Sequence, residues 1–225
     1  NGLRKDHPVQ VVMEASGCFM WVYDLLCLHL GKDLVHVAAP SKVGVIAQSG
    51  EKNDANDAWW LAYLRYEGRL PTAYVVEGSL RELRIACREY RSAVDARSDA
   101  IRRLRSHLAQ LGISLPKSAL ASKKGRAQTQ AVIRHVKMEH GMRGIAIATA
   151  WKLVKHMIKL AAFWMKKIRR VSACLPQVQT LDDNLPGVGH LLAAVIYSEL
   201  ADPQRYRNAK AYAKATGLTP GYRES

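Results

Sequence analysis

Long apolar runs are missing from this 225-residue chain. The least charged long segment, around Trp151, is broken by Lys152, Lys155 and Lys159, so no membrane span is expected. No apolar leader follows Asn1, and no secretory signal is expected either. Cysteine is scarce: Cys18, Cys27, Cys87 and Cys174 are scattered, with no CxxC pair. That spacing excludes an obvious zinc site or disulfide frame, and the four read as buried free thiols of a cytoplasmic protein. Acidic residues are the third shortage, and it is local. Residues 75–181 hold 22 Lys and Arg against 6 Asp and Glu, a net charge of +16. Residues 1–74 have 7 against 8, and residues 182–225 have 5 against 5. The whole excess of +15 therefore lies in the middle. A charge serving only solubility would be spread more evenly. A basic segment between two neutral ones points to a polyanion, most simply nucleic acid.

Apolar residues make up 48% of the chain, enough for a sizeable core. Val9 to Met13 is β-branched and apolar and reads as a buried strand ending at Glu14. Trp21, Val22, Leu25, Leu26 and Leu30 follow at helical spacing up to Gly31. Leu34 to Ala38 reads as a second strand, stopped by Pro40. Strand, helix and strand in that order predict a parallel pair with a right-handed crossover. Glu14 then sits at the carboxyl end of its strand, where open α/β sheets collect ligands and catalytic groups.

Residues 41–51 read as loop or weak helix. Lys52-Asn53-Asp54-Ala55-Asn56-Asp57-Ala58 opens the next helix. Asp54 and Asp57, three apart, project from one helical face. Two adjacent anions repel unless a cation lies between them, so the pair is a candidate for a divalent metal. Asp in a first turn also simply complements the helix dipole. The same helix carries Trp59 and Trp60, read as core residues, and runs to Gly68.

Leu80 to Leu111 is the most regular segment. With Leu80 at position a, the a positions are Leu80, Cys87, Val94, Ile101 and Leu108, and the d positions are Leu83, Tyr90, Arg97, Leu104 and Leu111. Only Arg97 breaks the seam, which predicts a coiled coil within the chain or between chains. Arg84, Arg91 and Arg105 at e join Arg81, Arg88 and Arg102 at b in one basic face suited to phosphate. Lys117 to Arg126, with Lys123, Lys124 and Arg126, reads as a flexible basic patch. A helix is expected over residues 127–140, a break over 141–144, and a long helix over 145–175, striped by Ile147, Trp151, Val154, Ile158, Ala161, Met165, Ile168 and Leu175. It is expected to fold back on the coil as an antiparallel arm. Pro176 marks a boundary. Leu185-Pro186-Gly187-Val188-Gly189 feeds the helix His190–Leu200, and a Pro-Gly-x-Gly turn at a helix start offers backbone N–H groups, with Gly187 and Gly189, to a phosphate. Pro203 begins a last short helix, ended by Gly217 to Gly221.

Four of these stretches resemble, in order, the boxes of one family, the DEDD transposases of bacterial insertion sequences (the "IS one-ten" family). Glu14-Ala15-Ser16-Gly17 resembles its EATG-type box, and Lys52 to Ala58 its K-T-D-x-x-D-A box. Leu185 to Gly189 resembles its I-P-G-I-G box, and Arg205 to Pro220 its R-F…A-Y-x-G-L-x-P stretch. The resemblance implies three domains. Residues 1–74 would be an RNase-H-like, RuvC-like α/β catalytic domain, and 75–181 a basic coiled coil. Residues 182–225 would begin a mainly helical transposase domain with a helix-hairpin-helix-like element. It implies that Glu14, Asp54 and Asp57 are three of four acids holding Mg²⁺ or Mn²⁺, and that Ser225 occupies the place of the family's serine nucleophile. The family's first acid lies on an earlier strand, with no match before Val9. The Gly that follows the family's serine is absent after Ser225. The resemblance thus implies a fragment, incomplete and inactive alone.

It further implies a cytoplasmic, nucleoid-associated bacterial protein that cleaves and rejoins DNA. Its partners would be DNA, a structured guide RNA, and further copies of itself as a dimer or tetramer through the coil, with no membrane. Two other readings fit the residues: a RuvC-like structure-selective nuclease, and a non-catalytic coiled-coil nucleic-acid-binding protein whose acids are helix caps.

Overall fold

The computed structural model describes residues 9–40, 43 and 53–216. Residues 41, 42 and 44–52, the segment from Gly217 and Ser225 lie outside the described residues. The chain forms two compact units, Asn1–Val76 and Glu77–Ser225.

In the first unit, β1 (Val11–Glu14) and β2 (Val35–Ala38) pair in parallel, with Val11 opposite Val35 and Glu14 opposite Ala38. The helix α1 (Phe19–Leu30) connects them. Side chains alternate across a strand, and the two faces are used differently. Met13, Val35 and Val37 pack on Phe19, Tyr23, Leu26 and Leu30 of α1. Gln10 and Val12 meet the next helix, α2 (Asp54–Tyr66), on the opposite face. After α2 the chain returns alongside β2, where Ala73 donates to the Val37 carbonyl at 2.7 Å. The expected parallel pair is present, as a small two-stranded sheet between helices.

One expectation fails here. Trp59 is not core: it is 58% exposed and stacks on Tyr63, with ring centroids 5.2 Å apart, while Trp60 meets both rings edge-on. Trp59 and Tyr63, one turn apart, lie outside the groove that Ala58, Leu61, Ala62, Arg65 and Tyr66 line with Gln10 and Val12. In α1 the buried residue is Tyr23, while Trp21 and Leu25 point outward. A helix apolar on every side gives no periodic signal as to which face turns inward.

The second unit is helical. The helix α3 (Gly78–Ala109) lies against α5 (Gly141–Ser172). The pair is antiparallel. Leu83, Ala86 and Cys87 at the start of α3 cluster with Ile168 near the end of α5. Ala100, Leu104 and Leu108 cluster with Ile147, Ala150, Trp151 and Val154 at its start. Ala86, Ala93 and Ala100, seven residues apart, are buried beside the expected seam. Small residues there allow the two helices to approach closely. The seam is closed within the chain, as the folded-back arm requires.

At one end α4 (Lys123–Glu139) completes the core with Ile133 and Val136. The patch read as flexible is ordered: Lys123, Lys124 and Arg126 form the first turn of α4. Ser122 caps it, accepting from the Gly125 amide at 2.9 Å. Gly125 presses against a preceding 3₁₀ turn so closely that a Cβ would lie 2.4 Å from the Ala119 carbonyl oxygen. The expected break over 141–144 shrinks to His140. Gly144 is helical, and its missing side chain lets α5 meet α4, where a Cβ would lie 2.6 Å from the Val136 carbonyl oxygen.

At the other end lie α6 (Pro176–Asn184) and α7 (His190–Leu200), contributing Val178, Ala193 and Ala194 to the core. The helix α6, started by Pro176, was not expected from the sequence. The last described elements are a 3₁₀ turn at Pro203–Arg205 and α8 (Ala209–Ala215). Of the four cysteines only Cys87 is buried; Cys18 and Cys174 are exposed and all are free. No described helix is long and apolar enough to cross a membrane.

Candidate catalytic and nucleic-acid-binding residues

Glu14 is the last residue of β1 and is exposed at its carboxyl end. On the facing helix, Asn53 adopts an extended conformation and accepts from the Asn56 amide at 2.8 Å. This N-cap starts α2 with Asp54 and Asp57 in its first turns, where the helix dipole favours negative charge.

Two contacts fix how α2 lies on β1. Arg65 donates through Nε to Gln10 Oε1 at 2.8 Å, and Val12 shares a groove with Ala58, Leu61 and Ala62. If the helix runs opposite to the strand from that anchor, moving up the strand corresponds to moving back along the helix. From Gln10 to Glu14 the strand climbs about 13 Å, and from Arg65 back to Asp57 the helix climbs about 12 Å. With that orientation Glu14 and the start of α2 would share one end of the unit. Carboxylate oxygens are the donors that Mg²⁺ and Mn²⁺ prefer, so the donor type fits a hard divalent ion. The placement is less complete: among the described residues no group of three or more potential ligands is gathered for a metal.

One titratable group in this unit is perturbed. His36 on β2 faces the α2 side, opposite Val12 in the ladder. Its Nε2 is buried without a hydrogen bond. Burial holds its pKa below the usual value of 6.5, assisted by the Arg65 charge and opposed by Asp33. Its only signal in the residue pattern is a polar side chain in an apolar strand.

The six arginines expected to form the basic face of α3 have different surroundings. Arg84 caps the end of α7, donating through Nε to the Ser198 carbonyl at 2.6 Å and through Nη2 to that of Glu199 at 3.1 Å. Arg88 forms a two-pronged pair with Glu199, both bonds 2.8 Å. That pairing holds the Glu199 carboxyl below its ordinary range. These two arginines join helices. Arg91 and Arg102 make exposed pairs with Asp95 and Asp99 on their own helix, of the kind worth little in water. Arg105 is half-buried, its Nε without a partner and its Nη2 3.5 Å from the Pro116 carbonyl. Arg81 is partly covered near the helix start. Beyond α3, Lys123 and Lys124 are exposed, and Arg126 ties down the preceding turn through the Leu120 and Ala121 carbonyls at 3.0 Å.

Gly187 and Gly189 are exposed in the turn before α7. Gly187 has φ +81, a left-handed conformation that glycine adopts without strain. His190, the first residue of α7, lies 2.8 Å from Ser172 Oγ through Nε2 and 3.4 Å from Asp182 Oδ2 through Nδ1. The serine is only 4% exposed, and its hydroxyl also donates to the Arg169 carbonyl at 3.2 Å. The order resembles a hydrolytic triad, and Ser172 and His190 line a cleft of about 380 Å³, but the serine itself is nearly covered and bonded to the Arg169 carbonyl. The three residues pin α5, α6 and α7 together beneath the glycine turn. No sequence pattern announces them, because each comes from a different helix.

Two family models match the chain. One, of a transposase with a DEDD N-terminal domain of the IS110 type, covers residues 1–113. The other, described as the transposase IS116/IS110/IS902 family, covers residues 181–225. No curated protein and no solved structure matches it.

Proposed function

Because the chain belongs to the IS110 family of transposases, enzymes of DNA transposition, we propose that it cleaves and rejoins DNA strands at the carboxyl end of β1, with Glu14, Asp54 and Asp57 as its acids. The observation that carries this reading is the packing of α2, with Asp54 and Asp57 in its first turn, against β1, which ends at Glu14. A bound Mg²⁺ or Mn²⁺ would polarise the scissile phosphodiester and offset charge on its oxygens. The chain's own acids would orient that ion, and a fourth acid completes the set in the family pattern. Ser225, outside the described residues, is the candidate nucleophile on the resemblance alone; its Oγ would bond to phosphorus as one strand oxygen leaves.

In this reading the basic segment 75–181 holds DNA and a structured guide RNA by charge and shape, leaving sequence choice to base pairing. Arg91, Arg102, Lys123 and Lys124 are among its exposed cations, and Gly187 and Gly189 lend backbone N–H groups to a phosphate. Dimers or tetramers would assemble through surfaces other than the α3 seam, which α5 occupies.

Calorimetric titration of the chain with Mn²⁺ tests the acids. Binding is expected, weakened at least about tenfold by Asp54→Asn or Glu14→Gln as an ion-binding oxygen loses its charge. Unchanged binding in both variants would sink the assignment. DNA affinity is expected to fall steeply with salt, with a shallower slope in an Arg91→Ala, Arg102→Ala, Lys123→Ala, Lys124→Ala variant.

A further inference from the structure

Between α3, α5 and α7 lies an open groove of about 860 Å³, within the range of roughly 300–1,000 Å³ common for ligand clefts. Its floor is apolar: Tyr90, Met165, Leu191 and Val195. Its rim carries Arg88, Arg91 and Arg169, with Gly189 of the glycine turn at one end. Three features that are far apart in sequence meet here: the basic face of α3, the basic end of α5 and the Pro-Gly-x-Gly turn. Glu199, the one acid on the rim, is already neutralised by Arg88. Arg169 has no ion-pair partner among the described residues, and Arg91 holds only the exposed Asp95.

Duplex DNA does not explain this groove. A duplex shows phosphates outside and hides its bases, so it would use the rim and leave the floor bare. A strand with an unstacked base shows both an anion and an apolar π face. We propose that the groove binds an unpaired nucleotide of DNA, with the base against Tyr90, Met165 and Leu191 and the flanking phosphates on Arg91 and Arg169. Charge complementarity selects this occupant, since a cationic rim around an apolar floor matches the two halves of one nucleotide. The inference rests on the proposed DNA-handling role and adds the state in which the DNA is held.

The test uses the full chain and a short single-stranded DNA carrying 2-aminopurine, compared with the same strand in a perfect duplex. The single strand is expected to bind more tightly and its 2-aminopurine fluorescence to change. Filling the groove with Leu192→Trp, at a position 47% exposed, or with Val195→Phe, is expected to weaken single-strand binding about tenfold, one lost stacking contact. Duplex binding stays unchanged in both. Arg169→Glu is expected to weaken single-strand binding likewise, while circular dichroism of each variant reports the fold. Equal binding of the two DNAs, undisturbed by the filling variants, overturns the groove assignment and leaves DNA binding by the basic face intact. Failure to bind either DNA removes the proposed function itself. An RNA strand that is sensitive to the filling variants when DNA is not overturns the choice of DNA. Filling variants that dissolve a dimer in sedimentation, with DNA binding unchanged, show the occupant to be a second copy.

Discussion

His36 is the residue whose cost is plainest. An imidazole nitrogen is buried without a partner beside the Arg65 charge, and both effects disfavour the protonated ring. The unfolded chain therefore takes up this proton first as the pH falls. The contribution of neutral His36 is complete above the ordinary pKa of about 6.5 and is lost as pH drops toward the lowered folded value. Thermal melting is expected to show a fall in stability across that acidic window. His36→Leu is expected to flatten the fall, because no proton is then bound on unfolding; an identical pH profile in the variant would contradict this. Single residues were also the hardest scale to read from the sequence. Asp54 and Asp57 were legible because spacing alone sets their helical face. The pinning of Ser172, His190 and Asp182 was not, since it exists only once three helices have packed.

At the scale of elements, periodicity succeeded where one face differs from the other. The stripe from Ile147 to Ile168 on α5 turns inward as expected, buried except at the half-buried Ile158 and Met165, and α7 has the expected bounds. It failed on α1 and α2, where apolar and aromatic residues surround the helix and tertiary packing chooses the buried side. The start of α4 was misread because two lysines and a glycine resemble a loop, whereas this glycine is a packing residue against Ala119. The two exposed or buried tryptophans make the contrast measurable. Trp151 is 2% exposed and donates through Nε1 to Gln130 Oε1 at 2.7 Å. Trp151→Ala is expected to cost about 3–5 kcal/mol in denaturant unfolding, combining a cavity with a lost bond. Trp59→Ala, on an open helix face, is expected to stay within about 0.5 kcal/mol.

The whole molecule divides at Val76 and Glu77 into a small α/β unit and a larger helical one. Each has its own apolar core, the usual basis for independent cooperative melting. Calorimetry is expected to resolve two transitions, with Trp151→Ala shifting only the one from the helical unit; a single transition shifted as a whole would show coupled units. Charge is partitioned in the same way, because all the positive excess falls within the helical unit. That much was visible in the sequence, since a count of charges needs no coordinates. The closing of the α3 seam by α5 was visible only as an option.

That closure also bears on the order of synthesis. The helix α3 and its partner α5 both lie within residues 78–172, with α4 as the link between them. A ribosome that has released residue 172 has released everything the pair requires, with no second chain to wait for. The basic hairpin is thus expected to assemble on the nascent chain and to stand ready for a polyanion while the remaining helices are still being made.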